Sequence, residues 1–138
     1  MKRYVIDTNA LISFVTDRNP GQQQKVGPLF ESAAHLKVAI LCHQHVLTEF
    51  IYVMDKVYDV PKQDINMMVR DLMAMPGVEV IHTVDFNIVF TYWPKLIEDF
   101  GDAIVASVCK THKGSVIMTF DLKFINTLKK LGLDVYRF

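Results

Sequence analysis

An apolar triplet, Tyr4-Val5-Ile6, stops at Asp7, and an apolar-periodic segment opens three residues later at Ala10. That order reads as a buried strand, a carboxylate at its tip and a helix entered at once. In an open parallel sheet, ligands bind in the crevice beyond the carboxyl ends of the strands. Asp7 therefore stands either in such a crevice or, like Asn9, as a helix cap. A cap stabilises its helix by about 1 kcal/mol and needs no second carboxylate nearby. The recurrence of acids at equivalent places decides between the two.

The remaining chain alternates strand and helix patterns. After the turn Asp17–Gly21, a helix is expected over 22–35 and a doubly buried strand over Val38–Cys42. From His45 to Tyr58, residues Leu47, Phe50, Ile51, Met54 and Tyr58 share one helical face. Pro61 ends that region and starts a helix over 62–75, with Ile65, Met68, Val69 and Leu72 facing the core. Met67 and Met73 lie off that face, so this helix either is buried on two sides or offers a self-association surface. A brief strand over Val78–Ile81 and a helix over Asp85–Trp93 follow. Ala103–Cys109 is apolar nearly all round and should be a buried helix. Ser115–Thr119 reads as a strand, 121–131 as a helix and Leu133–Tyr136 as a last strand. The alternation implies an α/β fold in three layers, α/β/α, with a central parallel sheet of about five strands under right-handed crossovers.

With 138 residues, 51% of them apolar, residues 1–138 are expected to form a single domain with a real core. Fifteen basic residues balance fifteen acidic ones, which gives no support to wholesale nucleic-acid binding but leaves a local basic patch open. Cys42 and Cys109 form no disulfide framework, and no run approaches the roughly 20 apolar residues of a membrane span. Asp7 and Asn9 interrupt what would otherwise resemble a leader. A soluble cytoplasmic domain is the expectation.

Two further acids occupy boundary positions: Asp102 opens the helix that leads into a late strand, and Asp121 follows that strand. Each alone could be a cap. Parallel strands, however, deliver their carboxyl ends to one edge, where clustered carboxylates raise one another's pKa values unless a cation neutralises them. An oxygen-only site suits a hard ion, Mg²⁺ or Mn²⁺. Glu49 falls about 40° outside the arc bounded by Val46, Val53 and Val57, compatible with a solvated side chain. Cys42, His43 and His45 lack a second ligand pair at zinc-finger spacing. Tyr92-Trp93 could stack a base or fill the core.

Four segments in this order resemble the PIN-domain ribonucleases: Val5-Ile6-Asp7-Thr8-Asn9, Leu47-Thr48-Glu49-Phe50, Gly101-Asp102-Ala103-Ile104-Val105-Ala106 and Thr119-Phe120-Asp121-Leu122-Lys123-Phe124. The resemblance implies an acidic pocket for one or two Mg²⁺ or Mn²⁺ ions, with Asp7, Glu49, Asp102 and Asp121 as catalytic, metal-holding carboxylates. It implies that Thr8, Asn9 and Thr119 orient those ligands, with Asp99 as a competing acid one turn before Asp102. The implied reaction is metal-dependent hydrolysis of RNA, leaving a 5′-phosphate and a 3′-hydroxyl. RNA would be drawn in by local cations such as Lys110, Lys113, Lys123, Lys129 and Lys130, each of which could equally be plain solvated surface. Small members of this family similar to this chain are often VapC-type toxins, homodimers silenced by a small antitoxin. Two rivals remain: a PIN-like fold serving as a non-catalytic interaction module, and a haloacid-dehalogenase-like phosphatase. In the phosphatase, Asn9 stands where a second aspartate is wanted.

Overall fold

A computed structural model describes residues 1–138. The chain runs β1 (Lys2–Ile6), α1 (Thr8–Val15), α2 (Pro20–Ala34), β2 (Val38–His43), α3 (Gln44–Tyr52), a π-helical turn (Val53–Val57), α4 (Lys62–Ala74), β3 (Val78–Ile81), α5 (Phe86–Tyr92), α6 (Phe100–Thr111), β4 (Val116–Met118) and α7 (Leu122–Lys130). All strand pairs are parallel, in the order β3-β2-β1-β4. The connections lead outward from β1 through β2 to β3, then return to β4 on the other side of β1. The direction of winding thus reverses between β1 and β4. This is the switch point at which parallel sheets open a crevice at their carboxyl ends. No helix is long and apolar enough to cross a membrane.

The strands are short and apolar because both faces are covered. Val5, Ile6, Ile40, Leu41, Ile117 and Met118 are fully buried. α6 is buried along its length, with Ala103 to Cys109 all inaccessible, because small residues let it lie close against β1 and β4. Phe14 of α1 stacks on Phe30 of α2 with ring centroids 3.6 Å apart.

Three expectations are modified. The sheet has four strands, and the segment expected as a fifth touches it by one parallel bridge, Ile117 to Val135. Ile117 donates its N–H to Asp134 O (2.9 Å), and Tyr136 donates to Ile117 O (2.8 Å). Beyond those two bonds aromatic packing takes over, with Tyr136 edge-on to Tyr4 and Phe138 stacked on Phe120. The helix expected over 45–58 changes to π geometry at Val53, where the Tyr58 N–H reaches back to Val53 O. That added residue per turn breaks the 3.6 period, and Ile51, expected on the apolar face, is 41% exposed. Within α4, Ile65 and Leu72 are buried while Met67 and Met73 are 62% and 49% exposed. This helix is therefore not buried on two sides.

Gly77 lies where α2 approaches the start of β3. A Cβ there would come within 2.1 Å of the Ala33 carbonyl oxygen, a backbone atom that cannot swing aside. Gly77→Ala should destabilise the protein by about 3 kcal/mol through forced backbone displacement. Chemical denaturation measures this directly, and an unchanged midpoint would contradict the packing described.

Candidate active site

Asp7 is the first residue after β1 and is only 5% exposed. Its Oδ1 accepts the Thr8 N–H (2.8 Å), so it does cap α1. Its Oδ2 accepts from the Thr119 hydroxyl (2.8 Å) and from Asn9 Nδ2 (3.0 Å). Thr119, fully buried, uses all its capacity: besides donating to Asp7, its Oγ1 accepts from Asn9 Nδ2 (3.0 Å) and from the Asp121 N–H (3.2 Å). Asn9 completes the circuit by accepting the Phe120 N–H at 2.8 Å. The ends of β1 and β4 are thereby laced together across the switch point. Thr8 contributes its backbone N–H, while Asn9 and Thr119 contribute side chains. The three residues expected to orient ligands thus all touch the Asp7 carboxylate.

The other acids arrive by different routes. Asp121, exposed, caps α7 by accepting the Phe124 N–H (3.2 Å). Asp102 does not cap α6, contrary to the boundary expected for it. Asp99 is the cap, its Oδ1 accepting the Asp102 N–H at 2.9 Å. That leaves the Asp102 side chain in the first turn with no capping duty. Glu49 lies in the middle of α3, its side chain 44% exposed, with Oε2 3.8 Å from His45 Nε2.

These acids feel one another. The Asp102 carboxyl is pushed up from 3.8 to about 7, first by burial and then by the charges of Asp7, Asp99, Asp121 and Glu49. Asp7 is pushed up to about 6, mainly by burial. Its hydrogen bonds from Thr119 and Thr8 oppose the rise, and the charges of Glu49 and Asp121 add to it. Asp99, set apart in the sequence as a competitor, therefore lies within the same electrostatic neighbourhood. No three acidic, histidine or cysteine side chains close into a ready-made metal cage. Like charges hold one another apart, and a hydrated divalent ion that keeps several waters needs only one or two carboxylates at close range. An oxygen-only set of carboxylates, two of which, Asp7 and Asp102, have raised carboxyls, fits such a cation.

Beside the acids opens a groove of about 410 Å³ whose lining includes Lys95, Glu98, Asp99, Asp102, Asp121 and Lys123. A larger one, about 610 Å³, lies between the start of α5 and the end of α6, and its one acid, Asp85, caps α5. Asp102 and Asp121 line the smaller groove. Of the lysines expected to attract RNA, only Lys123 lines it, and there it pairs with Glu98 at 3.4 Å. Lys110 ends α6, eight residues and so roughly 12 Å along the helix from Asp102. Lys113 lies beyond it, its carbonyl accepting from Arg3 near the amino end of β1. Lys129 and Lys130 occupy the last turn of α7. These four do not line the groove. Lys95 and Glu98 were missed by sequence reasoning. The acidic run Glu98-Asp99-Phe100-Gly101-Asp102 was the signal for Glu98, and nothing local marked Lys95.

Residues 4–130 match the family described as PIN domain. Among curated proteins, none matches. Among solved structures, the chain is similar to VapC20 of Mycobacterium tuberculosis, described as a Sarcin-Ricin loop cleaving toxin. The TM-score is 0.70 at 16% identity, over 97% of this chain and 98% of that one. It is also similar to VapBC2 from Rickettsia felis, solved bound to a DNA fragment from their promoter (TM-score 0.67, 16% identity, 97% of both chains). The PIN domain endonuclease Utp24 matches less closely (TM-score 0.54, 16% identity, 94% of this chain and 78% of that one). At these identities the likeness establishes the fold.

The raised carboxyls set a pH dependence. Relative to an ordinary value of 3.8, each binds its proton more tightly in the folded chain, so its contribution to stability is full below about pH 4. That contribution is lost as pH rises through about 6 for Asp7 and about 7 for Asp102. Without divalent ions, this pair should lower the melting temperature between pH 5 and 8. Mg²⁺ or Mn²⁺ should restore more stability at pH 8 than at pH 5. Thermal scans of wild type and Asp102→Asn check this: the substitution should flatten the pH trend, and a trend of the same steepness would refute the assignment.

Proposed function

The chain belongs to the PIN-domain family, and on that premise we propose that it is a metal-dependent endoribonuclease, the toxin of a toxin–antitoxin pair. The observation that carries the proposal is the convergence of Asp7, Glu49, Asp102 and Asp121 at the switch point of the parallel sheet. Their charges act on one another there, although they come from four separate elements. A structural role for each acid explains the caps made by Asp7 and Asp121 but not the uncapped, partly buried Asp102.

In this reading Asp7, Glu49, Asp102 and Asp121 hold Mg²⁺ or Mn²⁺, and Asp99 stands by as a further charge. When bound, such a cation neutralises the cluster and supplies Lewis acidity toward water and the oxygens of a phosphodiester. The protein's own part is positional. Thr8, Asn9 and Thr119 fix both oxygens of Asp7, leaving the remaining lone pairs pointed in set directions. Cap bonds hold Asp121 and Asp99 at helix starts. Lys95 and Lys123 are the cations placed to meet the phosphate chain at the groove. RNA as substrate, a cytoplasmic location and a small antitoxin partner belong to this proposal, supported by the kinds of protein the fold is similar to. We also propose a homodimer. Its support is the exposure of Met67 and Met73 on α4 and of Tyr52 and Val57 on the helical segment before it.

The direct test is cleavage of a mixed RNA pool with Mg²⁺ or Mn²⁺. Cleavage should vanish with EDTA and fall by a factor on the order of 100 or more in Asp7→Asn and Asp102→Asn, as when a main electrostatic contributor to a transition state is removed. A folded, metal-supplied protein that cuts no RNA, or variants that cut as well as wild type, would refute it. For the dimer, Met67→Glu should shift the sedimentation coefficient from dimer to monomer while leaving the circular dichroism spectrum intact. Wild-type protein that sediments as a monomer throughout would remove the dimer from the proposal.

A further inference from the structure

His45 Nε2 is buried from solvent and has no hydrogen-bond partner. Buried polar atoms nearly always find partners, so an orphan points to a bond completed in another state of the site. The carboxylate facing it is Glu49, four residues on along α3, with Oε2 3.8 Å away: near enough to attract, too far for a hydrogen bond. On its other side the ring presses against the first turn of α6. A Cβ on Gly101 would lie 2.5 Å from His45 Nε2 and 3.1 Å from both His45 Cδ2 and Asp99 Oδ1. The ring therefore occupies a notch that exists only because residue 101 is glycine, one position before Asp102. It is one contact between the helix carrying Glu49 and the helix carrying Asp102.

We propose that His45 is a positioning residue for the acidic site. Its Nε2–H donates to Glu49 and holds that carboxylate at a set distance from Asp102, and Gly101 makes room for the ring that does so. The inference rests on the metal-site reading above, because it ties the 3.8 Å gap to a carboxylate of that site. Glu49 needs such a tether more than its partners. Asp7, Asp121 and Asp99 accept backbone hydrogen bonds, and Asp102 is fixed close to the α6 backbone by its short side chain. Glu49 has a longer, half-exposed side chain in mid-helix, with His45 as the group placed to restrain it. A ring that merely filled space would need no nitrogen at that point, which separates the two roles experimentally.

The test is the affinity of metal-free protein for Mn²⁺, read from the loss of the free-ion electron paramagnetic resonance signal, which requires no RNA. Removing a group that orients a metal-holding residue weakens metal binding on the order of tenfold. His45→Phe keeps the ring and removes its nitrogen, so it should weaken Mn²⁺ binding on that scale with metal-free thermal unfolding unchanged. His45→Gln supplies an amide N–H at comparable reach and should recover most of the affinity. Gly101→Ala, which displaces the ring, should match His45→Phe, and the double variant should be no weaker than either single one. Unchanged affinity in His45→Phe, or equal losses in the Phe and Gln variants, overturns the positioning role and leaves the metal site standing. Wild-type protein without saturable Mn²⁺ binding overturns the metal site itself, and this role with it.

Discussion

The hydrogen bonds around the Asp7 carboxylate tie together the two strands on which the rest of the sheet is hung. Asp7 is buried, and burial alone drives its carboxyl toward the neutral form. Opposing that are donors from three directions: the Thr8 N–H, the Asn9 amide and the Thr119 hydroxyl. Thr119 and Asn9 are themselves saturated by bonds from the β4–α7 junction. One buried acid thereby fixes the relative height of β1 and β4, and with them the starts of α1 and α7. Loss of any member strands a polar partner in the interior, which costs about 1–3 kcal/mol per unsatisfied group. The network is consequently as much a piece of the fold as of the site.

Capping and site formation are not competing uses of these acids. Asp7 and Asp121 each spend one carboxylate oxygen on a helix N–H; Asp7 also accepts Thr119 and Asn9 at its other oxygen, so its free acceptor capacity lies at Oδ1, while Asp121 keeps more of its own. Capping even sharpens the placement, since it locks the side-chain torsions of a residue that already sits at a strand end. At α6 the two duties fall to different residues, with Asp99 capping and Asp102 left uncapped one turn in. The Asp7 and Asp102 carboxyls are both raised, first by burial, and Asp7 alone has hydrogen bonds that oppose the rise. No capping bond favours the charged form of Asp102, and four neighbouring carboxylates oppose it.

Much of this was legible because local pattern and tertiary role coincide. Val5 and Ile6 before Asp7, the small-residue run 103–109 and the strand before Asp121 are each buried where the sequence places them. Legibility failed where a second influence overrode the local one. The π turn over Val53–Val57 leaves no mark in a 3.6-residue period, and the exposure of Ile51, in the α-helical part before it, is not marked by the local pattern either. The last segment has strand-like residues, yet aromatic packing by Tyr136 and Phe138 ends its pairing after a single bridge. Nor could the sequence reveal that Gly101 faces His45, a contact between elements 56 residues apart.

The charge distribution also constrains how a polyanion could reach this site. The groove beside the acids is lined by Glu98, Asp99, Asp102 and Asp121 against Lys95 and Lys123, and Lys123 is already paired with Glu98. The chain has no excess of positive charge to steer a polyanion toward it. In that state the groove repels phosphate. Neutralising the carboxylates would remove the repulsion at the point where a scissile phosphate would have to sit, and would leave Lys95 as an uncompensated charge in the groove, with Lys123 still paired to Glu98. On the metal-site reading, cation binding therefore precedes productive RNA binding. The acids cannot distinguish one sequence from another, so selectivity would have to come from the shape and side chains around them.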